Sequence, residues 1–112
     1  LDVIGESHYQ RALEHVCGGR TEASQDRVVT AVLILEDDNP YDSQAVCVTI
    51  DEWTVGYLPR QKARVFRARL RREGIRGDEF ECRANIRGGW DRGDGDRGFF
   101  GVWLDVCLYA RR

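Results

Sequence analysis

Two apolar, β-branched runs, residues 27–35 and 45–50, flank a turn that no helix can cross. The turn reads Asp37-Asp38-Asn39-Pro40-Tyr41-Asp42-Ser43-Gln44. Pro40 fixes φ at about −65° and offers no N–H, and Asp and Asn side chains bond the backbone two or three residues on. The flanking runs therefore read as strands joined by a bend. Asp51-Glu52 makes a second short connection, to Trp53–Leu58. The three runs predict an antiparallel meander. Both faces of the 27–35 run are largely apolar, as in a strand of a small closed barrel.

The flanks of this meander supply the rest. Residues 2–9 read as a short first strand ending in a polar bend. Residues 10–17 predict a short helix with Ala12, Leu13 and Val16 on one side, stopped by Gly18-Gly19. Residues 20–26 read as a polar loop. Pro59 stands where a helix would have its first residue. A long helix over about 59–73 would bury Ala63, Phe66 and Leu70 and present Arg60, Arg64, Arg67 and Arg71 as a separate stripe, with Gly74 at its end. In residues 79–87, Phe80, Cys82, Ala84 and Ile86 alternate with polar partners, the mark of a half-buried strand. The Gly- and Asp-rich stretch 88–98 reads as a mobile loop. Residues 99–109 form a last strand, with Phe100, Val102, Leu104, Val106 and Leu108 on one face. The sum is mostly β: about six strands, one long and one short helix, a small barrel with a helix across or beside it.

A chain of 112 residues is one domain, residues 1–112, and its 42% apolar content suffices for a small core. Its first residue is Leu, which suggests a piece of a longer protein. No apolar run nears the roughly 20 residues that span a bilayer, so no membrane partner is expected. Cys17, Cys47, Cys82 and Cys107 form no C-x-x-C pair, which argues against a zinc site. They read as buried free thiols in a reducing, cytoplasmic setting, although a disulfide between adjacent strands stays open. Net charge is −2, yet residues 59–76 hold eight basic residues and one acid, a local +7. The rest, with nine basic and eighteen acidic residues, stands at −9. Such a dipole attracts an anion to one place and repels it elsewhere.

Two candidate constellations follow. The Asn39–Asp42 turn carries an aromatic ring beside a carboxylate and an amide; the plain alternative is a turn whose Asn and Asp only bond the backbone while Tyr41 half-covers the core edge. The basic helix repels itself at i, i+4 without acidic partners, which suggests an anionic partner such as phosphate; the plain alternative is a solvated face. Asp91, Asp94 and Asp96 lack the downstream Glu of a calcium loop and are interrupted by Arg92 and Arg97, so no metal is expected. His8 and His15 have no nucleophile at a useful spacing, and no phosphate loop, dinucleotide fingerprint or zinc-protease motif occurs. No catalytic residue, no cofactor and no enzyme activity is expected.

The motifs Ile4-Gly5-Glu6-Ser7-His8-Tyr9, Asp38-Asn39-Pro40-Tyr41-Asp42-x-x-Ala45-Val46-x-Val48, Val55-Gly56-Tyr57-Leu58-Pro59-Arg60 and Gly101-Val102-Trp103-Leu104 resemble the HIRAN domain over nearly the whole chain. That module occurs at the N-terminus of helicase-like SWI/SNF-type ATPases and, in bacteria, alone or beside nuclease and helicase domains. The resemblance implies an OB-like six-stranded β-barrel with added helices that binds single-stranded DNA at a free 3′ end. It implies that Tyr41 stacks on or braces the terminal base and that Asp42 accepts the 3′-hydroxyl. Asn39 would fix the turn or touch the terminal sugar-phosphate, and Tyr57 and Arg60 would line the phosphate path. Where the family's first strand ends in a basic residue and an aromatic one, this chain has Ser7 and His8, followed by Tyr9. His8 could still stack, and Arg64 or Arg67 would supply the missing charge. The implied setting is DNA repair, replication or defence, in the cytoplasm or on a bacterial nucleoid, with fused or associated helicase or nuclease domains. The competing expectations are a protein-interaction or scaffolding domain that has lost DNA binding and, further off, a magnesium-dependent nuclease.

Overall fold

A computed structural model describes residues 1–105 of the chain. Element order is a 3₁₀ turn at Glu6–His8, α1 (Gln10–Val16), β1 (Gln25–Glu36), β2 (Ala45–Ile50), β3 (Trp53–Tyr57), α2 (Arg60–Arg72), β4 (Glu79–Gly88) and β5 (Phe100–Leu104). The meander β1-β2-β3 and both helices follow the sequence reading. Asp51 and Glu52 both take positive φ, as a two-residue hairpin matched to the strand twist requires. Pro59 is the residue before the helix, one position earlier than expected.

The sheet has five strands in the order β3-β2-β1-β4-β5, all antiparallel. It is a curled half-barrel, so the expected closed six-stranded barrel is corrected. One departure accounts for this. The expected first strand is no regular strand: residues 1–4 make only isolated bridges, Asp2 with Trp103 of β5 and Ile4 with Tyr57 of β3. Gly5 then turns at φ 81° into the 3₁₀ helix. The far end of the expected last strand, with Val106 and Leu108, lies outside the described residues, as does Cys107. β1 also differs from a strand enclosed on both faces, since Val28 is exposed on the convex side.

The concave face is the core. Ala31, Leu33, Val46, Val48, Ile50, Val55, Phe80, Ile86, Phe100, Val102 and Leu104 are buried there with Leu13 of α1 and Ala63, Phe66 and Leu70 of α2. Phe66 meets Phe80 edge to face, with ring centroids 5.6 Å apart. Segment 1–4 lies against both edges of the half-barrel. Val3 N donates to Val102 O at 3.1 Å, and Ile4 and Tyr57 exchange two backbone bonds at 2.9 Å. Gly56 makes that approach possible, because a Cβ there would stand 2.7 Å from the Ile4 carbonyl oxygen and inside contact distance of Val3 Cγ1.

The 88–98 stretch, read as a loop, is a turn with its own hydrogen bonds and an ion pair. Asp91 and Arg97 form a bridge and an ion pair at 3.4 Å, and Trp90 Nε1 donates to Asp96 Oδ1 at 3.1 Å. Asp91 Oδ1 also accepts the Gly93 N–H. Asp91 and Asp96, two of the three aspartates weighed as a calcium loop, thus hold the turn's own groups. Among the described residues Cys17, Cys47 and Cys82 are buried, and burial raises the pKa of Cys17 and Cys47. No described helix is long and apolar enough to cross a membrane.

Candidate nucleic-acid site

The turn between β1 and β2 is built from its own side chains. Asn39 Oδ1 accepts the backbone N–H groups of Tyr41 at 2.9 Å and Asp42 at 3.1 Å, and its Nδ2 donates to Glu36 Oε1 at 2.9 Å. Asp42 Oδ1 accepts the Gln44 N–H at 2.9 Å. These bonds are the plain turn chemistry that Asn and Asp provide. Tyr41 departs from it. Its ring does not cover the core edge but stands 91% exposed at the apex, on a backbone pinned from both sides.

Arg67 moors this turn from below. It was expected in the outward stripe of α2, but it is only 7% exposed and points inward. Its guanidinium donates to Gln44 O at 2.8 Å, Ala45 O at 2.9 Å and Asp37 Oδ1 at 2.7 Å. Two carbonyl oxygens at the turn's exit and one carboxylate oxygen at its entry are thereby joined by one planar fork. Arg67 is thus a structural residue, unavailable to a ligand.

Asp42 faces the other arginines of the helix. Its Oδ2 lies 3.3 Å from Arg60 Nε and its Oδ1 3.7 Å from Arg64 Nη2. The Gln44 N–H, then Arg64 and Arg60, hold its carboxyl below the usual range against the opposing effect of burial. Tyr57 lies outward on β3. Burial first, and then a hydrogen bond to Glu36, push its phenol pKa upward, so it remains a neutral donor.

These groups border one concave cleft of about 700 Å³. Of the residues singled out from sequence, Tyr9, Asn39, Tyr41, Asp42, Tyr57 and Arg60 line it. Arg64 reaches the cleft's edge through Asp42. Ser7 and His8 do not line it: the 3₁₀ helix leaves both exposed, and Tyr9 is the ring that this segment contributes. Glu36 and Asp38 line the cleft and were missed, since each reads in sequence as an ordinary acid at a strand end or turn. Ile4 and Leu58 add apolar wall. The lining therefore pairs three tyrosines with three carboxylates and one guanidinium. Among the described residues no group of His, Cys, Asp and Glu is arranged to hold a metal ion.

Compared with known proteins, the chain matches no family model, no curated protein and no solved structure at a significant level.

Proposed function

We propose that the cleft receives the 3′-terminal nucleotide of a DNA single strand and selects a free 3′-hydroxyl. One observation carries the reading: a carboxylate paired with two arginines opens into a three-tyrosine cleft beside an exposed, backbone-pinned ring. Tyr41 offers a stacking platform, worth about 1–3 kcal/mol per base and indifferent to sequence. Asp42 accepts the terminal hydroxyl. Glu36, Asp38 and Asp42 together repel a terminal phosphate, which carries further negative charge. Arg60 and Arg64 take the internucleotide phosphate next upstream, where an Arg fork matches the oxygens. The HIRAN resemblance, resting on the motif residues, suggests the same ligand and places the module in a DNA repair, replication or defence protein. The buried free thiols of Cys17 and Cys47 fit a reducing compartment such as the cytoplasm.

The test is fluorescence anisotropy at low salt with two oligonucleotides that differ only in a 3′-hydroxyl or 3′-phosphate end. The expected result is a preference of about tenfold for the hydroxyl, about 1.4 kcal/mol. Asp42→Asn should reduce that preference, largely by admitting the phosphate more readily. Equal affinity in the wild type, or an intact preference in Asp42→Asn, would overturn the reading. A protein that binds no single strand at all would be an interaction module of the same fold, consistent with the uncharged Ser7 where the family has a basic residue.

A further inference from the structure

We infer that α2 is the track along which the bound strand leaves the cleft, its phosphates running on one helix flank from Arg60 past Arg64 to Arg71. The inference rests on the cleft being the 3′-end site and adds the path and polarity of the strand: the 3′ end lies at the helix N-terminus and upstream nucleotides run toward its C-terminus.

At about 100° per residue, Arg60, Arg64 and Arg71 fall within roughly 40° of one another on the helix. All three are exposed. Arg67 belongs to the same stripe but is turned inward onto the β1–β2 turn, which fixes the flank beside that turn. Arg60 and Arg64 both reach Asp42, so the flank begins at the cleft. Arg71 lies about 16 Å further along the axis at 1.5 Å per residue. It has no ion-pair partner among the described residues.

The charge of this flank calls for a polyanion. Residues 60–72 contain no acid, so the like charges at i, i+4 have no relief within the helix. The acids that do approach are engaged: Asp42 with Arg60 and Arg64, Asp37 with Arg67. Glu73 pairs with Arg69, which projects from the opposite side. A row of phosphates is the occupant that matches a line of forks leading away from the cleft.

The test compares two strands with the same 3′-hydroxyl end, one of about three nucleotides and one of about twelve, within the site sizes usual for small β-barrel binders. The wild type should bind the longer strand more tightly. Arg71→Gln should remove most of that length gain and leave the short strand unaffected, and the slope of log K against log salt on the long strand should fall by about 0.7. Lys62→Gln, an exposed charge about 200° round from Arg60, should keep the length gain. An unchanged gain in Arg71→Gln, an equal loss on the short strand, or an equal loss in Lys62→Gln would overturn the track. Tighter Arg71-dependent binding of poly-glutamate than of the long strand would overturn its assignment to DNA. A length gain that depends on Arg71 without any 3′-hydroxyl preference would overturn the polarity and the cleft reading, and leave the charged flank.

Discussion

Asn39 has three side-chain hydrogen bonds, two accepted from the Tyr41 and Asp42 amides and one donated to Glu36. Through them one small side chain fixes where the exposed ring and the Asp42 carboxylate stand. Asn39→Ala should cost about 1–2 kcal/mol of stability in urea unfolding, because the freed amides find water at the surface. Its larger effect should appear as lost 3′-hydroxyl preference at a temperature where the variant is fully folded. Asp42 sets the pH range. Its folded-state pKa is lowered, so its contribution is complete above the ordinary carboxylate range and is lost as pH falls through the folded value. The 3′-hydroxyl preference should therefore weaken only in part as pH falls through about 6, where the terminal phosphate takes up its second proton, and collapse only below the ordinary carboxylate range, as anisotropy across that series would show. Tyr41, Asp42, Tyr57 and Arg60 were singled out from turn chemistry and motif, and all four line the cleft. Glu36 was not, because a strand-end acid acquires meaning only when another strand brings Tyr57 beside it.

At the scale of elements, α2 has two jobs on adjoining faces. Ala63, Phe66 and Leu70 pack into the core, as their spacing predicts. Arg67 ties the helix to the β1–β2 turn. Arg67→Met should destabilise by about 2–4 kcal/mol, since the Gln44 and Ala45 carbonyls lose their donor near the core. Arg67→Lys should recover little, because one ammonium on a flexible stem cannot span three fixed oxygens. Arg64→Gln should stay within about 0.5 kcal/mol, as an exposed ion pair predicts. Urea midpoints of the three variants separate these outcomes. Helical periodicity placed Arg64 and Arg67 in one stripe and could not tell them apart. The difference comes from the turn that meets the helix at the level of Arg67.

Across the whole molecule, the cleft depends on how segment 1–4 meets the edge of the half-barrel. Ile4 pairs with Tyr57, and the chain then turns so that Tyr9 reaches the cleft. Gly56 is the contact that allows it. Gly56→Ala should lower stability by about 1–3 kcal/mol, the range for an overpacked site. It should also weaken single-strand binding, because the wall formed by Ile4 and Tyr9 is displaced. Gly101→Ala is the matched control. A Cβ there meets nothing within 4 Å, so both stability and binding should hold. Thermal melts and anisotropy on the two variants check both statements. Sequence reading expected a first strand in residues 2–9, and with it a closed barrel. A segment that bonds two different edges with single bridges leaves no alternation long enough to distinguish it from a strand.

By itself the sequence determined the local structure: the alternation of Phe80, Cys82, Ala84 and Ile86, the two tight turns of the meander, the apolar stripe of α2, and a turn able to present Tyr41 beside Asp42. Those features are set by backbone sterics and side-chain periods that act within a few residues. Tertiary structure alone decided that β1 pairs with β4 as well as β2, that the sheet stops at a half-barrel, and that Arg67 turns inward while Tyr9 replaces His8 at the cleft. Each of these depends on which surfaces meet across tens of residues, and burial and hydrogen-bond satisfaction select those meetings only once the chain has closed on itself.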